Sequence, residues 1–300
     1  MKKEIRNLII HGDCLLGLKG LETESVDCCV TSPPYWKQRD YGVAGQYGQE
    51  KTPEDYLQNL AAVFSEVYRV LRCEGTLWLN MGDAYWNAAK GDGLKPKDLI
   101  GLPWQLAFKL RQQGWYLRQD IIWHKPNAMP ESVRGRCGKA HEYLFLLTKE
   151  SRYYFNHLAI RKPAKTFENR PFGVVRDRAL DYNSKQRILR PNVRRGDTSD
   201  LLPPVKLVNK RSVWTVNTRP YLGAHTAAFP QELVKDCILA GTLPGGIVLD
   251  PFMGSGTTAV TARKLGRDYL GFELNPQYVY TARKRLEQLS LKLNWPTKSK

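Results

Sequence analysis

Short apolar runs alternate along this chain with longer segments whose apolar positions recur every three or four residues. Residues 5–10, Ile-Arg-Asn-Leu-Ile-Ile, read as a strand running into His11-Gly12-Asp13-Cys14. A short helix over 15–21 leads to a second apolar run, Val26-Asp27-Cys28-Cys29-Val30. Thr52-Pro53-Glu54-Asp55 then opens a long helix, with a cap, a proline in the first turn and acids at the positive dipole end. Its apolar positions Tyr56, Leu57, Leu60, Val63, Phe64, Val67, Val70 and Leu71 keep helical spacing. Residues 75–80 form the next strand, and a Gly- and Lys-rich loop over 83–98 precedes a helix at 102–113. Two further strands, 115–123 and 142–148, flank a long loop over 124–139. Segment 161–211 loses clear periodicity. Order returns with Val213-Trp214-Thr215-Val216 and a helix over 230–240. The chain closes as a strand (246–249), a Gly-rich turn, a helix, a strand (268–272) and a helix (276–291). This alternation predicts an α/β fold with a mostly parallel, doubly wound sheet.

Composition adds bounds rather than identity. Three hundred residues, 42% hydrophobic and 25% charged, suffice for one large α/β domain or two modest ones. No apolar run approaches the ~18 residues of a membrane span. The start, Met1-Lys2-Lys3-Glu4-Ile5-Arg6, lacks the apolar core of a signal peptide, so a cytoplasmic protein with no membrane partner is expected. The six cysteines are scattered without a Cys-x-x-Cys, which predicts reduced thiols and no structural metal. Adjacent Cys28 and Cys29 should point to opposite faces of their strand as small core residues.

Charge changes the picture more. Forty-six Lys and Arg against 29 acids give +17, unevenly spread. Residues 161–220 hold 15 basic and five acidic residues, net +10, leaving +7 for the other 240. A localised basic block suits a polyanion, usually nucleic acid. A solvated basic surface is the plainer alternative.

Candidate chemistry sits at two strand ends. Thr31-Ser32-Pro33-Pro34-Tyr35-Trp36 ends the second apolar run, at the carboxyl edge where open α/β sheets place ligands. Pro33 and Pro34 fix their φ angles and carry no N–H, which leaves nearby carbonyls free to accept. A rigid turn with a hydroxyl, free carbonyls and aromatic faces suits a flat base bearing an exocyclic amine. A Pro-rich turn around a core aromatic would read the same way. The second end is Asp250-Pro251-Phe252-Met253-Gly254-Ser255-Gly256-Thr257-Thr258-Ala259, where Gly254, Gly256 and Ala259 satisfy G-x-G-x-x-G/A. The next strand ends in Glu273, 17 residues past Gly256, near the ~20-residue offset of a ribose-binding acid. The glycines alone would suit any tight strand-to-helix turn; with the strand, helix and acid in place they predict a nucleoside-containing ligand. No Gly-Lys-Ser/Thr follows the turn, which argues against a phosphate-binding P-loop.

Together, Asp-Pro-Phe-x-Gly-Ser-Gly-Thr-Thr and Thr-Ser-Pro-Pro-Tyr-Trp resemble the S-adenosylmethionine-dependent DNA amino-methyltransferases. The order, catalytic turn first and cofactor turn last around a variable basic region, resembles their β class. The resemblance covers nearly the whole chain outside 161–211. It includes Gly12-Asp13-Cys14, the stretch from Asp120 to Asn127, His141-Glu142-Tyr143 and the stretch from Ala224 to Pro230. It implies a permuted seven-stranded, mostly parallel Rossmann-like sheet with one antiparallel strand. Residues 1–160 would form the catalytic half, 161–211 a basic target-recognition region and 212–300 the cofactor half. Asp13, Ser32 and Asp250 would then meet at one carboxyl edge.

The resemblance also implies roles. The catalytic residues would be Ser32, Pro33, Pro34 and Tyr35. The Ser32 hydroxyl and the Pro33 carbonyl would accept the two amine hydrogens and localise the nitrogen lone pair for in-line attack. Tyr35 would stack on the base, with Trp36 shaping the pocket beside it. S-adenosylmethionine would meet Asp13 at its adenine amine, Glu273 at its ribose, and Asp250 and Thr257 near its methionine moiety. Gly254 and Gly256 would let it approach closely, with Phe252, Ser255, His225 and Phe229 completing the set; Phe229 is read as well or better as an ordinary core residue. Asp13 is equally well read as a helix cap. His124 and His141 are given loop or structural roles rather than general-base roles. Arginines and lysines of 161–211 would hold phosphates or read guanine edges of duplex DNA. The loop Arg134-Gly135-Arg136-Cys137-Gly138-Lys139 would face the same groove or solvent. Ser at the first motif position points to cytosine N4; Asp or Asn would point to adenine N6. Adenine N6 methylation, a non-catalytic DNA-binding protein on this scaffold, and an RNA or protein methyltransferase stay open. So do a restriction endonuclease partner and the choice of monomer or homodimer.

Overall fold

The computed structural model describes residues 5–87, 93–163, 207–218 and 230–293. The chain divides into one unit of Met1–Ile160 with Arg211–Lys300, and a second of Arg161–Lys210. In chain order the elements are β1 (Leu8–His11), α1 (Cys14–Lys19), β2 (Val26–Thr31), α2 (Pro53–Val70), β3 (Leu71–Met81), α3 (Leu102–Gln112), β4 (Tyr116–His124), β5 (His141–Thr148), β6 (Lys162–Pro163), β7 (Leu207–Val208), β8 (Val213–Thr215), α4 (Gln231–Gly241), β9 (Ile247–Asp250), α5 (Thr257–Lys264), β10 (Asp268–Glu273) and α6 (Pro276–Leu293). In the second unit the described strands are β6 and β7, an antiparallel pair.

The first unit is built on one sheet in the order β1-β10-β9-β2-β3-β5-β4-β8. Every neighbouring pair is parallel except those made by β5, which runs antiparallel to both β3 and β4. The expected permutation is visible in that order: the two strands that come last, β9 and β10, lie between β1 and β2. Eight strands replace the expected seven because Val213–Thr215 pairs in parallel with β4 at the sheet edge.

Local chemistry explains the elements. The Thr52 hydroxyl accepts from the Asp55 N–H at 3.1 Å and starts α2. All eight apolar positions read from its spacing, from Tyr56 to Leu71, are buried. Full burial of each such side chain stabilises by roughly 1.5–3 kcal/mol. β3 begins at Leu71 rather than 75, because α2 passes straight into extended backbone there (φ −72°, ψ 138°). β1 is shorter than expected at its start: Asn7 takes a left-handed φ of 58° and spends its side chain on Asp268. Cys28 and Cys29 are fully buried on opposite sides of the sheet. One core joins Cys29, Leu77 and Leu79 to α1, α2 and α3. The other joins Cys28, Val30 and Trp78 to α4, α5 and α6. Among the described residues no helix is long and apolar enough to cross a membrane.

Candidate active site

The parallel strands bring their carboxyl ends to one edge, and a cavity of about 330 Å³ opens there. Asp13 after β1, Ser32 to Tyr35 after β2, Asn80 near the end of β3, Asp250 to Ser255 after β9 and Glu273 at the end of β10 all line it. The two sequence motifs, more than two hundred residues apart, are therefore walls of one cavity.

At one end stands the proline turn. The Ser32 Oγ lies 3.2 Å from the Tyr35 hydroxyl, and Tyr35 donates to Glu142 Oε2 at 2.7 Å. Asn80 Nδ2 donates to the same Tyr35 oxygen and the same Glu142 oxygen, each at 2.8 Å, and reaches Ser32 Oγ at 3.3 Å. Asn80 Oδ1 is buried with no hydrogen-bond partner among the described residues. Lys125 Nζ pairs with Glu142 Oε1 and sits 4.3 Å from the Trp123 ring centroid. Burial, then the Glu142 charge, push the Tyr35 phenol well above its ordinary pKa. The Pro34 carbonyl is taken by the Tyr56 hydroxyl at 2.8 Å, while no hydrogen bond among the described residues ends on the Pro33 carbonyl.

At the other end lies the glycine turn. Glu273 Oε2 accepts from Gly254 N at 2.7 Å and Oε1 from Asn275 N at 2.8 Å, which fixes the carboxylate on the cavity wall with lone pairs to spare. Its pKa is raised by burial. Gly254 has a φ of 53°, a left-handed conformation that glycine adopts without strain. Phe252 also lines this end, edge-on to Tyr47 at 5.5 Å. Asp13 Oδ1 caps α1 by accepting from Leu16 N at 2.8 Å, so the cap reading holds, yet the residue lines the cavity as well. Neighbouring Cys14 is no nucleophile near neutral pH, since burial raises its thiol to about 12.

The structure adds detail to several of these roles and corrects that of Gly256. Asp250 lines the cavity, but its carboxylate is spent inside the protein. Oδ1 accepts from Thr31 Oγ1 at 2.6 Å and Phe252 N at 3.0 Å, and Oδ2 from Thr258 Oγ1 at 2.6 Å. Gly256 does not line the cavity; a Cβ there would stand 2.7 Å from Ala282 Cβ, so its missing side chain serves the approach of α6. The hydroxyls of Ser255 and Thr257 are both reached by Arg285, at 3.0 and 3.3 Å. Trp36 does not line this cavity but borders the cleft beside it, where it stacks on Trp86 at 5.9 Å and donates to the Glu50 carbonyl at 3.1 Å. His124 faces Thr215 at 3.4 Å and His141 meets Tyr143 edge-on at 5.4 Å; neither lines the cavity, which agrees with the loop or structural roles read from the sequence. His225, Phe229 and most of 161–211 lie outside the described residues.

Sequence reasoning missed Asn80, Lys125 and Glu142 as members of the site. Asn80 carried the same signal as Ser32, a polar residue closing a buried strand. Beside this end a second cleft, about 760 Å³, is bordered by Tyr35, Lys125, Glu142, Lys97, Arg134 and Lys139. The basic loop after β4 thus faces a cleft next to the proline turn, with Arg136 held by Glu131 at 2.5 Å and stacked 3.9 Å over Tyr85.

Comparison with known proteins decides the family. The family model described as DNA methylase matches residues 26–284. The chain belongs to the DNA methylase family. This DNA methylase is 44% identical to the Type II methyltransferase M.Cfr9I of Citrobacter freundii over 299 residues, covering 93% of this chain and 87% of that one. It is also 44% identical to the Type II methyltransferase M.SmaI of Serratia marcescens, covering 93% and 90%. Among solved structures its fold is similar to PvuII DNA methyltransferase (cytosine-N4-specific), with a TM-score of 0.66 and 18% identity, covering 95% and 90%. It is also similar to a putative DNA modification methylase of Thermus thermophilus complexed with S-adenosyl-L-methionine. There the TM-score is 0.60 and the identity 24%, covering 94% and 93%.

Proposed function

We propose that this DNA methylase transfers a methyl group from S-adenosylmethionine to the N4 amine of a cytosine extruded from duplex DNA. The observation that carries the reading is the shared cavity, with the Ser32 hydroxyl at one end and the Glu273 carboxylate at the other. The residues present fit the methyl donor. Glu273 is a buried acceptor suited to two ribose hydroxyls, Gly254 lets the backbone come close, and Phe252 offers an apolar face. Asp13 keeps one carboxyl oxygen beyond its cap for an adenine amine. Asp250 supports these residues from behind, tying Thr31 at the end of β2 to the glycine turn and α5. When bound, S-adenosylmethionine supplies a methyl group on a cationic sulfonium, which leaves as a neutral thioether.

The chain's part is to make a poor nucleophile a better one. The exocyclic amine of cytosine delocalises its lone pair into the ring. Ser32 Oγ and the Pro33 carbonyl accept its two hydrogens and favour a pyramidal nitrogen whose lone pair faces the donor. Tyr35 lines the same pocket and offers a ring to the base. Positioning and electrostatics supply the catalysis. Extrusion of the target costs a few kcal/mol in lost pairing and stacking. The basic residues of 161–211 act as the DNA-recognition region, and the 44%-identical Type II methyltransferases favour a place in a restriction–modification pair. Work on DNA inside the cell agrees with the cytoplasmic location expected from sequence. Serine rather than Asp or Asn at position 32 favours cytosine over adenine.

Nucleoside mass spectrometry of duplex DNA incubated with the protein and S-adenosylmethionine tests this directly. N4-methylcytosine is the expected product, and Ser32→Ala should lower its rate by about a hundredfold while leaving cofactor binding intact. N6-methyladenine would move the reading to adenine, and no methylated base would remove it.

A further inference from the structure

Side chains from β3, β5, the residue that follows β4 and the proline turn meet in one hydrogen-bonded group at the base-facing end of the cavity. It runs from Ser32 Oγ through the Tyr35 hydroxyl to Glu142 Oε2, at 3.2 and 2.7 Å. Lys125 holds the other Glu142 oxygen, and Asn80 Nδ2 donates to the Tyr35 and Glu142 oxygens from the side. Three donors converge on the two Glu142 oxygens, an arrangement that suits a carboxylate and not an acid carrying its own O–H.

Counting hydrogens gives the chain a direction. A carboxylate only accepts, so the single hydroxyl hydrogen of Tyr35 is committed to Glu142. Between Ser32 and Tyr35, only Ser32 then has a hydrogen to give. One of its lone pairs meets Asn80 Nδ2 at 3.3 Å, and the other is left for the cavity, where an amine hydrogen needs an acceptor. We infer that Glu142, acting through Tyr35, fixes Ser32 as an acceptor toward the target amine and takes up the proton which that amine sheds after methylation. The inference rests on the proposed amine methylation and names the residue that completes it.

The protons balance along the chain. The methylated nitrogen carries one hydrogen too many. Its N–H breaks as a new Ser32 O–H forms; the original Ser32 O–H breaks as a new Tyr35 O–H forms; the original Tyr35 O–H breaks as Glu142 gains a proton. The base goes from cationic to neutral, Glu142 from anionic to neutral, and Ser32 and Tyr35 end as they began. The raised pKa of Tyr35 suits a phenol that passes a proton on without resting as phenolate. Glu142 borders the second cleft as well as the cavity, with its side chain 15% exposed, so the proton has a way to water. No other described residue touches both Tyr35 and Lys125 through a carboxylate.

The test is single-turnover methyl transfer onto duplex DNA, measured beside the dissociation constants for S-adenosylmethionine and duplex. Glu142→Gln keeps the shape but puts an amide donor against Tyr35. Its rate is expected to fall by about a hundredfold or more, with both dissociation constants within about threefold of wild type. Tyr35→Phe should lose a similar factor, and the double variant should fall no further than the worse single one, because the two act as one chain. Glu142→Ala should recover part of its rate in formate. A Glu142→Gln rate within about threefold of wild type, or losses that multiply in the double variant, would overturn the inference. If Glu142→Gln fails to bind S-adenosylmethionine, the formate arm decides: recovery supports proton uptake at this position, and no recovery overturns it. A wild-type protein that methylates no base overturns the proposed function instead, since that arm carries no substitution.

Discussion

Asp250 is a carboxylate whose three hydrogen bonds do not fully offset its burial. Donors from Thr31, Thr258 and the Phe252 N–H lower its pKa, yet desolvation wins and raises it to about 6. Its folded pKa therefore lies above the unfolded value near ~3.9. At lower pH both states hold the proton and the contribution is fully present. As pH rises through about 6 the native group ionises in a buried site, and up to about 3 kcal/mol is lost. Asp250→Asn is nearly isosteric and cannot ionise. Thermal unfolding of both proteins from pH ~4 to ~7 should show the variant gaining on wild type as pH rises. A constant difference across that range would mean that Asp250 does not titrate there. The position of Asp250 at a strand end was legible in the sequence; its partners were not. Thr31 lies 219 residues away, and nothing in a local pattern pairs them.

At the scale of elements, the glycine turn shows where one atom decides how two segments meet. Gly256 has a φ of 82° and Gly266 a φ of 70°, so alanine at either carries a similar backbone strain of about 1–2 kcal/mol. Their surroundings differ. A Cβ at Gly266 would meet open space, while one at Gly256 would stand 2.7 Å from Ala282 Cβ and 3.1 Å from its Cα. Gly256→Ala should therefore lower the melting temperature by several degrees more than Gly266→Ala, as about 1–3 kcal/mol of overpacking implies. Calorimetry of the two variants side by side reads the difference, and equal losses would leave only the backbone term. Strands and helices themselves were readable, because apolar runs and helical spacing are local signals. The Tyr35–Glu142–Lys125 assembly was not. It exists because β5 inserts antiparallel between β3 and β4, setting Trp123 opposite Glu142 and Asn80 opposite Leu144. Period-two alternation gives a strand its faces but not its neighbours or its register.

For the whole molecule the dominant quantity is charge. The net +17 is concentrated, with +10 carried by residues 161–220. Composition made that concentration legible, but composition cannot say which cations touch phosphate. The first unit adds Arg134, Lys139 and Lys97 around the cleft beside Tyr35. Such cations bind DNA by releasing condensed counterions, so the logarithm of affinity should fall linearly with the logarithm of salt, by about 0.9 per phosphate neutralised. Contact with 6–10 phosphates predicts a loss of about 10³–10⁵ in duplex affinity between ~50 and ~200 mM salt. Binding of S-adenosylmethionine should respond far less over the same range. Its proposed contacts, Glu273 and the Gly254 turn, lie inside a cavity where mobile ions screen weakly. Titrations of both ligands on one preparation separate the two. A steep line for duplex beside a nearly flat one for the methyl donor assigns the basic excess to the polymer. A flat line for duplex would leave +17 as a solvated surface and return recognition to contacts made within the cavity.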